Sequence, residues 1–279
     1  MDRQSFTRVV MIGLVALTLV LGGFLADATP ALGLPPGWSV TQLTGNNCRD
    51  DGISIDGSNV AYATHPLGLD TNDISIYSAG VGSTRSVATR ALQSTPLLSG
   101  TRVAYVSGFR DDAEIYVWDT ITGATRQVTN NDMQDAAPSL HDTMLAWQRW
   151  DGSDWEIYWI DLSSGTEQHF PNNFINDFDP VIEDDWMAWR QEDPAGEFGE
   201  VFVKMYNIRT ATYLLVTPQS DPAENLRLEG GLLAFVSTPN FPHDQLHQVM
   251  LYNTNTRTQR EVTTDLDHHI EMEMSGDRI

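Results

Sequence analysis

Lysine is almost missing from this 279-residue chain: Lys204 is the only one, and 16 Lys plus Arg stand against 38 Asp plus Glu, for a formal net charge of -22. A surface so poor in cations has no basic patch with which to displace the counterions of a nucleic acid or an anionic lipid, so neither is expected as a partner. Cysteine is equally scarce. Cys48 stands alone, which rules out an intrachain disulfide and any multi-cysteine metal site. G-x-S-x-G, H-E-x-x-H and a phosphate-cradling glycine loop are also missing, so the signatures of serine hydrolases, zinc peptidases and nucleotide-binding enzymes find no support. The sequence points away from an enzyme. What it does contain is 41% hydrophobic residues, enough to bury a sizeable core.

One long uncharged apolar run exists, the 18 residues from Val9 to Ala26. Arg3 and Arg8 precede it and the small-residue triplet Ala26-Asp27-Ala28 ends it, the arrangement of a secretory signal. Its length also approaches that of a spanning helix. Residues 1–28 are therefore expected to be a signal peptide or an N-terminal membrane anchor. The protein is accordingly expected to be exported, whether periplasmic, secreted or at the cell surface, with membrane contact only through that segment. Pro30, Pro35 and Pro36 make 29–37 an extended linker.

Residues 38–279 read as repeats. Ala61-Tyr62, Ala104-Tyr105, Ala146-Trp147, Ala188-Trp189 and Ala234-Phe235 recur at steps of 43, 42, 42 and 46 residues. Between them lie only short runs rich in β-branched and aromatic residues, such as MLAW and EIYWI, so the period indicates propeller blades rather than a helical solenoid. The third copy supplies four strands: Ser139 to His141, Met144 to Gln148, Glu156 to Ile160, and Thr166 to Phe170. Five full blades are expected at about Ile53 to Thr89, Pro96 to Thr129, Pro138 to Phe170, Pro180 to Thr217 and Leu226 to Thr263. Gly123 and Gly165 suit a left-handed turn position between the last two strands. Ala211 and Arg257 occupy the same position in later copies, and those turns are expected to differ.

The string EIYVWDTITGATRQVTNNDMQDAAPSLHDTMLAW resembles the TolB-like propeller repeat, with its acidic-I-Y-x-x-D, T/S-G, D-x-x-P and G-x-x-Ψ-A-W/F elements. The similarity runs from Ser39 to the end. It departs from the commonest repeat at the S-P-D-G turn, here DGSN, SGTR, HDTM, EDDW and EGGL. The resemblance implies an all-β, six-bladed geometry and a place in periplasmic or surface protein assemblies. Val40 to Thr44 reads as the last strand of a repeat and Ile270 to Ile279 as a first strand. They give five full blades plus an incomplete sixth, open or truncated.

In such a fold the connections between blades reach the mouth of the central channel, and here they are acidic. Asp51, Asp135, Asp177, Asp179, Asp221, Glu224 and Asp267 are the candidate site, a set that suits Ca²⁺ or a basic peptide. The competing reading is that each Asp caps its own turn. A second acidic set, Asp70 and Asp73, Asp111, Asp112 and Glu114, and Asp151, Asp154 and Glu156, lacks the spacing of a calcium loop and is read as turn-forming. Glu114, Glu156 and Glu200 are read as sharing one repeat slot and hence a structural role.

His243 and His247, or His268 and His269, are poorly spaced for a metal in loops and strands. No metal or catalytic residue is assigned. Trp118, Trp147, Trp159 and Trp189 are expected in the core, while Trp150, Trp155 and Trp186 fall nearer turns. The function expected is a monomeric, non-enzymatic scaffold that binds a protein, peptide or cation at an acidic channel mouth. The alternative is a glycosidase or lyase with channel carboxylates as acid and base.

Overall fold

The structure, a computed structural model, describes residues 42–45, 47–66, 72–88, 96–195, 200–217, 223–238, 247–263 and 274. Residues 1–46 and 47–279 form separate compact units. In the first, Gln42 Nε2 donates to the Thr44 carbonyl at 2.6 Å and no strand is formed over 42–45. The expected signal or anchor and the linker lie outside the described residues. So does all but Met274 of the expected partial strand at the C-terminus.

Among the described residues of the second unit, twenty strands and one 3-10 turn form the regular structure. Blade 1 comprises β1 (Arg49–Asp56), β2 (Asn59–His65), β3 (Asp73–Ser78) and β4 (Ser83–Ala88). Blade 2 comprises β5 (Leu97–Ser99), β6 (Arg102–Ser107), β7 (Glu114–Asp119) and β8 (Thr125–Gln127). Blade 3 comprises β9 (Asp135–His141), β10 (Met144–Trp150), β11 (Trp155–Asp161) and β12 (Glu167–His169). Blade 4 comprises β13 (Asp177–Glu183), β14 (Trp186–Glu192), β15 (Val201–Asn207) and β16 (Thr212–Leu215). Blade 5 comprises β17 (Ala223–Glu229), β18 (Leu232–Ser237), β19 (Gln248–Asn253) and β20 (Thr258–Glu261). Each blade is an antiparallel sheet whose strands lie side by side in chain order. The fold is an all-β propeller with five full blades.

The recurrent Ala-aromatic pair explains how blades stack. Successive side chains on a strand point to opposite faces. Leu145 and Trp147 of β10 pack backward into a cluster with Ala104, Ile115 and Val117 of blade 2. Ala146, between them, faces forward, where Met187 and Trp189 of blade 4 fill the space it leaves. The same rule places Val103 and Tyr105 against Ala61 of blade 1. All five alanines are 0% exposed. Trp118, Trp147, Trp159 and Trp189 are core residues as expected, whereas Trp150, Trp155 and Trp186 are half-buried.

Inner strands begin about three residues earlier than the sequence suggests, at Asp135 and Asp177 rather than Pro138 and Pro180. The cause is a bulge in the same slot of four blades. Gly52, Ala137, Asp179 and Asn225 all have positive φ, between 48° and 60°, and the pairing register skips there. Pro138 and Pro180 fall in the skipped stretch, where a residue without an N–H leaves no ladder bond unmade.

The turns between third and fourth strands do not differ as expected. Ala211 and Arg257 take φ of 52° and 56°, as Gly123 and Gly165 take 76° and 75°. The side chain opening each turn compensates: Asn253 Oδ1 accepts from the N–H groups of Asn255 and Thr256 at 2.9 Å, as Asp119 Oδ1 does from Ile121 and Thr122. A left-handed L-residue costs about 1–2 kcal/mol, part of which glycine returns as chain entropy. Arg257→Gly is therefore expected to stabilise the protein by about 0.5 kcal/mol, read as a higher urea midpoint at unchanged slope.

Candidate functional site

Connections between blades, and the turns between second and third strands, lie on one face of the sheets. Asp135 and Asp177 open β9 and β13 there, in one repeat slot. Neither faces solvent: they are 0% and 2% exposed. Asp135 Oδ1 accepts from Trp147 Nε1 and Arg149 Nε, both at 2.7 Å, and Oδ2 from Asn131 Nδ2 at 2.8 Å. Asp177 repeats the arrangement with Trp189 Nε1 and Gln191 Nε2 at 2.8 Å and Asn173 Nδ2 at 2.9 Å. Burial pushes the Asp177 carboxyl above the usual carboxylate range against the pull of these donors. Lys204, which donates to Gln191, is held below the ordinary lysine value by burial, against the upward pull of Asp177. These two carboxylates tie the second strand of a blade to its inner strand, and their lone pairs are spent on that task.

Arg149 joins blade 3 together further. It pairs with Glu167 at 2.9 Å and lies 4.2 Å over the Tyr158 ring. Its pKa is raised: burial opposes the charge, and the bonds to Glu167 and Asp135 more than offset that.

The remaining predicted residues are dispersed. Asp51, on β1, bonds His65 Nε2 at 2.7 Å and Arg49 at 2.9 Å. Asp179 sits on the bulge of β13, paired with Arg190, and its N–H donates to Gln148 Oε1 at 2.8 Å. Glu224 of β17 has its Oε1 3.7 Å from His247 Nδ1. Asp221 and Asp267 lie outside the described residues. The structure thus brings Asp135 and Asp177 into equivalent buried networks, and distributes Asp51, Asp179 and Glu224 over blades 1, 4 and 5.

A feature missed in the sequence is an open groove of about 330 Å³ between blades 3 and 4, lined by Gln148, Trp155, Asn176, Phe178, Asp179 and Glu192. Arg190 stacks 4.5 Å over the Phe178 ring, and Asn176 Nδ2 donates to Glu192 Oε2 at 2.6 Å. Its signal was indirect. Trp155 lay near a turn, but Phe178, which lines the same groove, precedes a bulge that no local pattern announced.

Asp135→Ala would strand the buried Arg149 and Trp147 donors. It is expected to cost about 3–5 kcal/mol in urea unfolding. Asp50→Ala, in the same slot of blade 1 but half-buried and bonded to Thr64 at 2.8 Å, is expected to cost about 1 kcal/mol.

No family model matches the chain, and no curated protein matches it by sequence. Solved structures do. TolB from Acinetobacter baumannii is 14% identical, with a TM-score of 0.54 over 81% of this chain and 57% of that one. The β-propeller domain of the Trilobed protease from Pyrococcus furiosus, which has an open velcro topology, is 14% identical, with a TM-score of 0.64 over 82% and 76%. Oligogalacturonate lyase from Vibrio parahaemolyticus is 11% identical, with a TM-score of 0.60 over 79% and 68%. The chain spans little more than half of the TolB chain, and identities this low establish shared architecture alone. In fold, the chain is a β-propeller, similar to that of TolB.

Proposed function

We propose that the protein is an exported, non-enzymatic binding propeller whose acidic face engages a positively charged protein, peptide or cation. The observation that carries this reading is the spread of the accessible carboxylates over three blades, with Asp179 and Glu192 sharing one groove. Asp51, Asp179, Glu192 and Glu224 lie on blades 1, 4 and 5, each beside an arginine, imidazole or amide group of its own. Acid–base cleavage of a glycosidic bond needs two carboxyl groups opposed across one substrate, one of them holding a proton. The carboxyls pushed toward the protonated form, Glu114, Asp154, Glu156 and Asp177, are instead buried. A net charge of -22 sets a negative potential over the face, which steers a basic partner and speeds its encounter.

The carbohydrate reading keeps one supporting observation. Trp155 and Phe178 line the groove beside Asp179 and Glu192, and an aromatic wall beside carboxylates suits a sugar ring.

Oligolysine peptides, titrated calorimetrically, are expected to bind with an affinity that falls steeply as salt is raised. The double variant Asp179→Asn, Glu224→Gln is expected to weaken binding about tenfold. Release of reducing or unsaturated sugar from a polysaccharide panel would overturn the non-enzymatic reading. Salt-independent binding would remove the electrostatic one.

A further inference from the structure

The β10–β11 turn and the start of β11 carry three carboxylates that the fold does not use alike. Asp151 behaves as a turn former, its Oδ1 accepting from the N–H groups of Ser153 at 2.8 Å and Asp154 at 3.2 Å. Asp154 does not. It is 4% exposed, and no protein donor reaches either of its carboxylate oxygens. Glu156 is 2% exposed, and its Oε1 accepts from the Asn173 N–H at 3.1 Å while its Oε2 receives nothing. One oxygen from each of Asp151, Asp154 and Glu156 lies within 4.8 Å of the other two. Buried polar atoms are ordinarily satisfied, and three unsatisfied oxygens on two neighbouring carboxylates, Asp154 and Glu156, require an explanation.

Comparison with the other blades supplies it. By strand register, the slot of Glu156 is occupied by Asp73, Glu114, Phe202 and Gln248, so Glu200 lies two residues away and not in the slot as the sequence suggested. In blade 2, Glu114 Oε2 accepts from the Thr129 hydroxyl, and Oε1 from the Asn131 N–H at 2.6 Å. In blade 5, Gln248 Oε1 accepts from the Thr263 hydroxyl at 2.6 Å. The threonine that closes this contact recurs as Thr129, Thr217 and Thr263, each also accepting a backbone N–H. Blade 3 has Pro171 there, and blade 1 has Ala88 opposite a half-buried Asp73. Of the two blades with a buried acid in this slot, 2 and 3, the one that lacks the donor is the one that carries Asp151 and a buried Asp154. Its blade 2 counterparts are Phe109 and the exposed Asp112.

We propose that Asp151, Asp154 and Glu156 form a binding site for a hard divalent cation, Ca²⁺ above all, which takes the place of the missing threonine. The donor set is oxygen only, which selects Ca²⁺, Mg²⁺ or Mn²⁺ over softer metals. Oxygens on opposite sides of a Ca²⁺ ion lie about 4.8 Å apart at bond lengths near 2.4 Å, whereas Mg²⁺ demands a tighter octahedron and keeps most of its waters. Burial, with Asp177, Asp154 and Asp151 nearby, pushes Glu156 up to about 7. Burial raises Asp154 as well. Mutual repulsion among these groups is what a bound cation relieves. The ion would fasten the β10–β11 turn to the 171–176 connection, which already contacts it through Asn172 on Asp151 and Asn173 on Glu156. The site is independent of the accessible carboxylates on which partner binding was argued.

The test uses the full chain, stripped with chelator and titrated with CaCl₂ by calorimetry, with parallel thermal melts. One ion per chain is expected, with Kd below about 1 mM and a rise in melting temperature of about 5 °C at saturation. Asp154→Asn and Glu156→Gln should abolish the rise without lowering the melting temperature in chelator. Pro171→Thr, which restores the hydroxyl donor, should raise the melting temperature in chelator and weaken Ca²⁺ at least tenfold. Asp179→Asn should keep the full shift. Absence of heat and of any shift with Ca²⁺, Mg²⁺ and Mn²⁺ in the unmutated protein overturns the proposal. So does a full Ca²⁺ shift in Asp154→Asn or in Pro171→Thr.

Discussion

The second strand of every blade must be closed from both sides, and this governs the rest of the molecule. A sheet covered on two faces cannot alternate apolar and polar residues, so its central strand is apolar throughout. Two such strands can approach only if a large side chain on one meets a small one on the other. Trp147 behind Ala104, and Trp189 behind Ala146, are two instances of that fit. Interiors pack at the density of organic crystals, and a buried methyl has no room to grow. An alanine exposed to no solvent is therefore as tightly specified as the tryptophan that covers it.

Close stacking also fixes where polar groups go. The edges of each blade are stitched by side chain to backbone bonds that repeat at the blade period: Ser54 accepts from the Leu98 N–H and Ser139 from that of Ile182, each at 3.0 Å. Within a blade, Asp135 and Asp177 join inner and second strands through an indole N–H. Repetition makes these contacts interpretable, because a departure at one slot stands out against its neighbours. Pro171, where three blades have threonine, is such a departure. It disturbs hydrogen bonding at a point where the carboxylates of blade 3 are concentrated.

The architecture was legible because blade stacking writes a period into the chain. Ala61, Ala104, Ala146, Ala188 and Ala234 mark it without any structure in hand. Acidic residues were less legible. Asp135 and Asp179 look alike in sequence, yet one is enclosed by Trp147 and Arg149 while the other sits on a bulge facing Arg190. Burial of a charged group depends on partners from strands far apart in the chain, and no spacing rule carries that information. One clue was available: Asp135 and Asp177 each precede a tryptophan by 12 residues. The strand starts were misplaced for a related reason. Pro138 and Pro180 read as openings, and only the left-handed backbone at Ala137 and Asp179 lets the strand continue through them.

The hairpins at opposite ends of the strands differ in how freely their length varies. Between first and second strands the turn is two residues in all five blades, and between third and fourth it is four or five. On the other side, the segments joining second to third strands run to 7, 6, 4, 8 and 10 residues. Lengthening a loop costs little entropy once its ends are held. One side is thus a fixed frame and the other an adjustable one, so new peptide segments can be inserted there while the stack beneath keeps its registration.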